Sequence, residues 1–343
     1  MTSPTRTRQI GRLVWYILSV LLAAWIASGL AWQALGPWYL FAALVVAWVV
    51  LGWHQTSRKL RKRLRRVVLY GLASLILVWT IAPFAWLVIA SVSTKADLIA
   101  KPLRWLPAKP TLQNYRDMLF GTAGRTTDAA SQFMGAFTNS LIITITVVII
   151  ALMVGLLASY AYSRFRFRGH SGLLNLTLFT QMIPAVVLII PLYIVFRQVG
   201  LLDTKAGLII TYLSFVLPYL VWILKGYIDG IPTDLEEAAM IDGCGRLGAF
   251  VRVVLPVAAT GLAATVIFAF ILAWNEFFFA MNFTQTLASK TLPVVLTEFS
   301  SKFGPNFVLA ATAGVLASLP PVLVALIFQK YIITGLSAGA LKG

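Results

Sequence analysis

The chain has 343 residues, 59% of them hydrophobic and only 11% charged, with a mean hydropathy of +0.86. Those values exclude a soluble globular domain, because the charges cluster and leave apolar runs long enough to cross a bilayer. The net charge of +17 is spread between the apolar runs, which is the pattern of membrane topology and not of a nucleic-acid stripe.

Cys244 is the single cysteine, so no intrachain disulfide can form. His54 and His170 lie far apart without cysteine partners and offer no metal site. Taken in order, residues 1–12 are basic (Arg6, Arg8, Arg12), and Leu13–Ala31 reads as a first membrane span. A cleaved signal peptide is the alternative, but the run exceeds a usual signal core and no small-residue cleavage site follows. Trp38–Trp53 is a second, short span or a re-entrant segment. Arg58 to Arg66 carries seven basic residues in nine, a topology anchor against anionic headgroups. Val67–Ala90 is the third span, with a kink expected at Pro83, and residues 91–138 read as a polar loop.

Five later spans follow from the same logic. Asn139–Tyr162 is the fourth, closed by Arg164, Arg166 and Arg168. Leu173–Phe196 is the fifth, with Pro184 and Pro191, and Gly207–Leu224 the sixth, with Pro218. Val257–Ala280 and Val308–Phe328, the latter with Pro320 and Pro321, complete eight spans. Prolines free backbone carbonyls inside a membrane and point to packed or water-lined helices. Eight spans put both termini and residues 225–256 on one side. That side holds 18 of the 28 Lys and Arg, against 10 on the other, so it is expected to be cytoplasmic.

Thr233 to Pro256, TDLEEAAMIDGCGRLGAFVRVVLP, is a polar insertion between apolar segments. Thr233 and Glu236 have capping-box spacing, which predicts a helix N-terminus at Thr233. Pro232 stops any helix running in from the membrane. Gly243 falls where a helix end takes positive φ, and a second short helix is expected over Arg246–Val254. Glu237, Ala238 and Ala239 place one carboxylate beside two small side chains, a surface that another protein can approach closely.

Glu237-Ala238-Ala239, Asp242-Gly243 and Leu255-Pro256, at their spacing, resemble the cytoplasmic coupling motif of ABC-importer permeases of the carbohydrate-uptake branch. The C-terminus, Gly335 to Gly343, is small and flexible in character and is similar to the Gly/Ala-rich tail of the maltose-type subunit. The resemblance covers Val67 to Gly343, with Cys244 and Val253 as mild departures and residues 1–66 as an addition. It implies an all-α, polytopic membrane protein: a six-helix type I permease core (67–343) behind a two-span extension with a basic linker (1–66), the coupling loop at 225–256 and the tail at 329–343. It implies a multi-pass subunit of the cytoplasmic membrane with both termini inside. It further implies import of a carbohydrate, such as maltose, maltodextrin or trehalose. The implied partners are a second permease subunit in a heterodimer, two ATPase subunits and an extracytoplasmic sugar-binding protein, with no nucleic acid. The loop between residues 91 and 138 is implied as a place to meet the binding protein. Contact with the ATPases is implied for Glu237, Ala238, Ala239, Asp242, Gly243, Leu255 and Pro256, and for the tail residues Gly339, Ala340, Lys342 and Gly343.

The sequence holds no GxxxxGK[ST] loop, H-E-x-x-H or G-x-S-x-G, so the chain is expected to be no enzyme and to bind no cofactor. ATP and Mg belong to the partner ATPases. Asn275 and Glu276, within Val257–Ala280, either line the translocation path or make a structural hydrogen bond. An ion-gradient-driven secondary transporter is the alternative class, but it calls for charges at the bilayer centre and a repeat between halves, and neither is evident. A membrane-embedded enzyme calls for converging carboxylates, which eleven scattered acids do not supply. A structural scaffold leaves the motif spacing unexplained.

Overall fold

The computed structural model describes residues 58–102, 104–121, 128–301 and 304–340. The spans expected at Leu13–Ala31 and Trp38–Trp53 lie outside the described residues. The chain divides into two units, residues 1–81 and 82–343. Among the described residues the fold is helical apart from a two-residue antiparallel ladder pairing Ser300 with Pro305 and Ser301 with Gly304. Among the described residues five helices are long and apolar enough to cross a membrane, or six where a bent pair counts as one span.

Helix α1 spans Arg58–Ser91, so the basic run and the following apolar segment are one helix, and the boundary expected at 66/67 falls within it. Two short helices follow, α2 at Lys95–Leu98 and α3 at Gln113–Phe120. Helix α4 spans Asp128–Arg164, beginning well before the expected Asn139. The early turns are legible as amphipathic: Ala129, Ala130, Phe133 and Ala136 are buried at helical spacing. A search for continuous apolar runs passes over them because Gln132 and Thr138 interrupt the pattern.

The span expected at Leu173–Phe196 is corrected. It consists of α5 (His170–Phe179) with a 3₁₀ turn (Thr180–Met182), and α6 (Ala185–Gln198), bent by 95°. Pro184 causes the break. It drives Ile183 out of the helical region, to φ −75° and ψ 121°, as the residue before a proline must go. Helix α7 spans Lys205–Asp229 and starts on Thr204, whose hydroxyl accepts the Gly207 N–H at 3.0 Å.

Helix α8 (Thr233–Ile241), α9 (Arg246–Ala249), a π-turn (Phe250–Val254) and α10 (Leu255–Val257) form the polar insertion. Helices α11 (Ala259–Trp274) and α12 (Phe278–Phe283) follow, then α13 (Leu292–Thr297) and α14 (Phe307–Ala340). Helices α4, α7, α11 and α14 pack as the central group, with α4 against α7 the most extensive pair. Tyr212, Leu208, Leu220, Ile143, Val147, Phe270 and Trp274 fill the space between them. The indole of Trp274 donates to the Ala317 carbonyl at 3.1 Å, which ties α11 to α14.

Candidate functional site

The insertion between α7 and α11 is built on a small apolar seat of its own. Phe250, Val254 and Ala258 meet Ile228 in the last turn of α7, Ile231 just after it and Tyr160 near the end of α4. Phe250 and Val254 are almost fully buried, each contributing roughly 1.5–3 kcal/mol by the usual scale for large apolar side chains. The Tyr160 and Phe250 rings lie 4.6 Å apart.

A single guanidinium fastens α8 to this seat. Arg164 Nε donates to Glu236 Oε1, Nη1 to Ser163 Oγ at 3.0 Å, and Nη2 to the carbonyls of Ile228 and Ile231 at 3.1 and 2.9 Å. The other Glu236 oxygen accepts the Tyr160 hydroxyl at 2.9 Å. Both members of the ion pair are shielded, with side-chain exposures of 11% and 7%. Arg164 thus joins the end of α4, two carbonyls at and just past the end of α7 and the first turn of α8.

This corrects the capping-box expectation. Pro232 is the N-cap, at φ −56° and ψ 134°, and no side chain caps the helix. With Pro232 in that position, Thr233 is already helical, and Glu236 turns inward to Arg164 instead of back to the chain. Arg164 and Tyr160 were absent from the sequence-derived site. Their signal is an arginine in the last turn of one span facing the first carboxylate of a Glu-Glu pair, which a topology count reads only as charge.

The outer surface of α8 carries the motif. Glu237, Ala238, Asp242 and Gly243 are exposed and Ala239 is half-buried. Among the described residues no hydrogen bond or ion pair reaches the Glu237 carboxylate. Ile241 (86% exposed) and Leu247 (71% exposed) flank it. Gly243 has φ +89°. The Cys244 N–H donates to Ala239 O at 3.0 Å and the Gly243 N–H to Met240 O at 3.1 Å, the paired bonds of a Schellman ending.

The expected second helix over Arg246–Val254 is modified: a π-turn occupies Phe250–Val254, and helix continues through Pro256. Pro256 has no N–H to give to the fourth carbonyl before it. The Leu255 N–H reaches back to Phe250 O, five residues away, and the wider turn accommodates the ring. Leu255 is half-buried and Pro256 exposed, so this pair shapes the return into α11.

Asn275 and Glu276 stand elsewhere, at the break between α11 and α12. Asn275 Nδ2 donates to the Ile271 carbonyl at 3.0 Å, and Glu276 accepts the Phe279 and Ala280 N–H groups at 2.8 and 3.1 Å. Together they end one helix and start the next. In the tail, where a flexible end is expected, the backbone stays helical through Gly339 and Ala340; Lys342 and Gly343 lie outside the described residues.

A core of helices apolar enough to cross a membrane, with a seated, outward-facing acidic loop, defines a polytopic membrane protein. The chain belongs to the family of binding-protein-dependent transport system inner membrane components, which it matches over residues 151–337. It is 34% identical to the sulfoquinovosyl glycerol transport system permease protein of Agrobacterium fabrum, over 79% of this chain and 92% of that protein. It is 35% identical to the trehalose/maltose transport system permease protein of Thermococcus litoralis, over 82% and 98%. It is also 35% identical to the trehalose transport system permease protein of Mycobacterium tuberculosis, over 79% and 96%. The fold is similar to a chain in the crystal structure of a bacterial ABC transporter that imports alginate. There the TM-score is 0.68 at 23% identity, covering 81% of this chain and 99% of that one.

Proposed function

We propose that this chain is the membrane subunit of an ATP-driven carbohydrate importer and that α8 to α10 transmit motion from partner ATPases to the spans. The observation that carries this reading is the contrast within one turn of α8. Glu236 is buried on Arg164, while Glu237 is exposed beside Ala238 on a segment fixed to α4 and α7. A rigid segment with an unpaired outward charge suits docking: Glu237 meets a basic group and Ala238 and Ala239 allow close approach. Closure of two ATPases around ATP and Mg then moves the spans between inward- and outward-facing states.

The partners are a second permease subunit, two ATPases and a sugar-binding protein outside. This chain binds no cofactor, and both termini and the α8 segment face the cytoplasm. The helical tail near Gly339 and Ala340 adds a second ATPase contact with Lys342 and Gly343. Asn275 and Glu276 shape the α11–α12 break. The names of the relatives support an oligosaccharide of the maltose or trehalose kind as cargo.

The test is affinity purification of the chain with its neighbours, followed by ATPase assays with a panel of sugars and the binding protein. Co-purification of an ATPase and stimulation by one sugar-loaded binding protein are expected. Uptake that follows membrane potential and ignores ATP overturns the reading in favour of a secondary transporter.

A further inference from the structure

A groove lies between the α5 segment and α7. At one end Gln181 Nε2 donates to the Ser214 carbonyl at 3.4 Å. That carbonyl is an orphan, because Pro218 inside α7 has no N–H to return to it. At the other end lies a cavity of about 410 Å³, lined by Leu174 of α5 and by Trp222, Lys225, Tyr227 and Asp229 of α7. From residue 174 to 181 and from 222 to 214 the two helices run alongside each other in opposite directions, for roughly 10–12 Å at the α-helical rise. The two contacts therefore bracket one groove.

Its chemistry is selective. Trp222 is 54% exposed and Tyr227 41% exposed. The Tyr227 ring lies on Gly261 of α11, where any Cβ would overlap it, so that aromatic wall is fixed. Lys225 Nζ bonds Asp229 Oδ2 at 2.6 Å, and Ser163 Oγ bonds Asp229 Oδ1 at 2.6 Å. The charged pair is neutral overall yet keeps spare ammonium N–H donors and carboxylate lone pairs. An anionic headgroup needs an uncompensated cation and finds none in this pair. A neutral polyhydroxyl ligand can use donors, acceptors and aromatic faces together.

The break at the far end favours a place against protein or water. Met182 closes the 3₁₀ turn and Ile183 is extended; they are 74% and 48% exposed, at the break of the bent pair. Such backbone is tolerated at membrane depth only against protein or water, and discontinuous helices commonly mark the substrate route.

We propose that the groove from Gln181 and Ser214 to Trp222, Lys225, Tyr227 and Asp229 is this subunit's wall of the sugar path, and that a neutral sugar stacks on Trp222 as it leaves the break. This rests on the carbohydrate reading above.

The experiment uses the assembled transporter in inside-out vesicles, with Trp222→Cys and Gln181→Cys variants and a charged, membrane-impermeant methanethiosulfonate. The parent, whose single thiol is Cys244, sets the blank. Labelling above the blank at both positions is expected, slowed several-fold at Trp222→Cys by maltose or trehalose, whichever the parent imports. In uptake assays Trp222→Ala loses transport and Trp222→Phe keeps it. Labelling by a lipid-soluble maleimide alone shows a lipid-facing groove and overturns the proposal, as does parental uptake by Trp222→Ala. A parent without ATP-dependent sugar uptake overturns the carbohydrate reading itself, and with it the sugar as occupant of the groove.

Discussion

Asp203, just before α7, and the Glu236-Glu237 pair, just after it, sit at opposite ends of one helix and use their charges differently. Asp203 adopts φ +55°, and its N–H donates to Phe283 O at 2.9 Å. Its carboxylate accepts the N–H groups of Gln285 and Thr286 at 2.9 and 3.0 Å. It also accepts the hydroxyls of Thr286 and Ser289, both at 2.6 Å. Asn139 holds the same loop through the carbonyls of Leu287 and Lys290, at 2.8 and 3.0 Å. This end satisfies its acid wholly within the chain. The other end satisfies Glu236 internally and leaves Glu237 open. One end is closed as a loop; the other leaves an acid open beside a buried pair that ties its helix to α4 and α7.

The largest effect is expected from breaking the seat. Arg164→Met leaves the Glu236 carboxylate buried without its cation and with only the Tyr160 hydroxyl, at a cost of about 3–5 kcal/mol, seen as a lowered thermal midpoint in detergent. Pairing it with Glu236→Leu removes both charges and recovers most of the loss. A single variant as stable as the parent denies that the ion pair holds α8. Next is Gly243→Val. A β-branched residue at φ +89° costs roughly 1–2 kcal/mol and distorts the Schellman turn that aims Glu237. ATPase co-purification is retained while hydrolysis uncouples from uptake; normal coupled uptake by the assembled variant defeats the lever.

The spans and the turn were legible because they depend on local rules. Apolar runs placed α7 within a few residues at each end, and the lone Gly243 after Ile241-Asp242 fixed the left-handed ending of α8. The 95° bend was visible only as Pro184 and Pro191, since a proline marks where a helix can break but packing decides how far it turns. Glu236 was misassigned because Thr-x-x-Glu spacing is a local signal, whereas its actual partner, Arg164, is 72 residues away. Asp203 carried no signal at all, since its partners are brought in by the α11–α12 break and not by sequence neighbours.

A smaller effect follows from the closed end. Burial works to raise the Asp203 pKa, but the hydrogen bonds of Ser289, Thr286 and Gln285 outweigh it and hold it at about 2, against about 3.9 in an unfolded chain. Because the folded value is the lower one, the clamp's contribution is complete above about pH 4 and is lost as pH falls toward 2. Asp203→Asn, which tolerates the left-handed backbone, should flatten that acid limb of the stability curve. It should also speed hydrogen exchange at Gln285 and Thr286 at neutral pH. Parental exchange there means that Asn139 alone holds the loop.

The smallest effect on stability, and the sharpest test of the comparison, comes from Glu237→Lys. Its carboxylate is exposed and has no partner among the described residues, so the fold should change by no more than about 0.5 kcal/mol, the usual range for such surface sites. Reversal of charge at a docking face is nonetheless costly to a complex, because the new ammonium meets the basic group that Glu237 would have paired. Thermal stability of the isolated chain is therefore expected to match the parent while ATPase co-purification falls. Glu236→Gln, one residue away, should lower the thermal midpoint instead, since it replaces a buried ion pair with a neutral amide. Loss of stability in both variants places both carboxylates in the seat. Undiminished co-purification of Glu237→Lys removes that residue from the docking face.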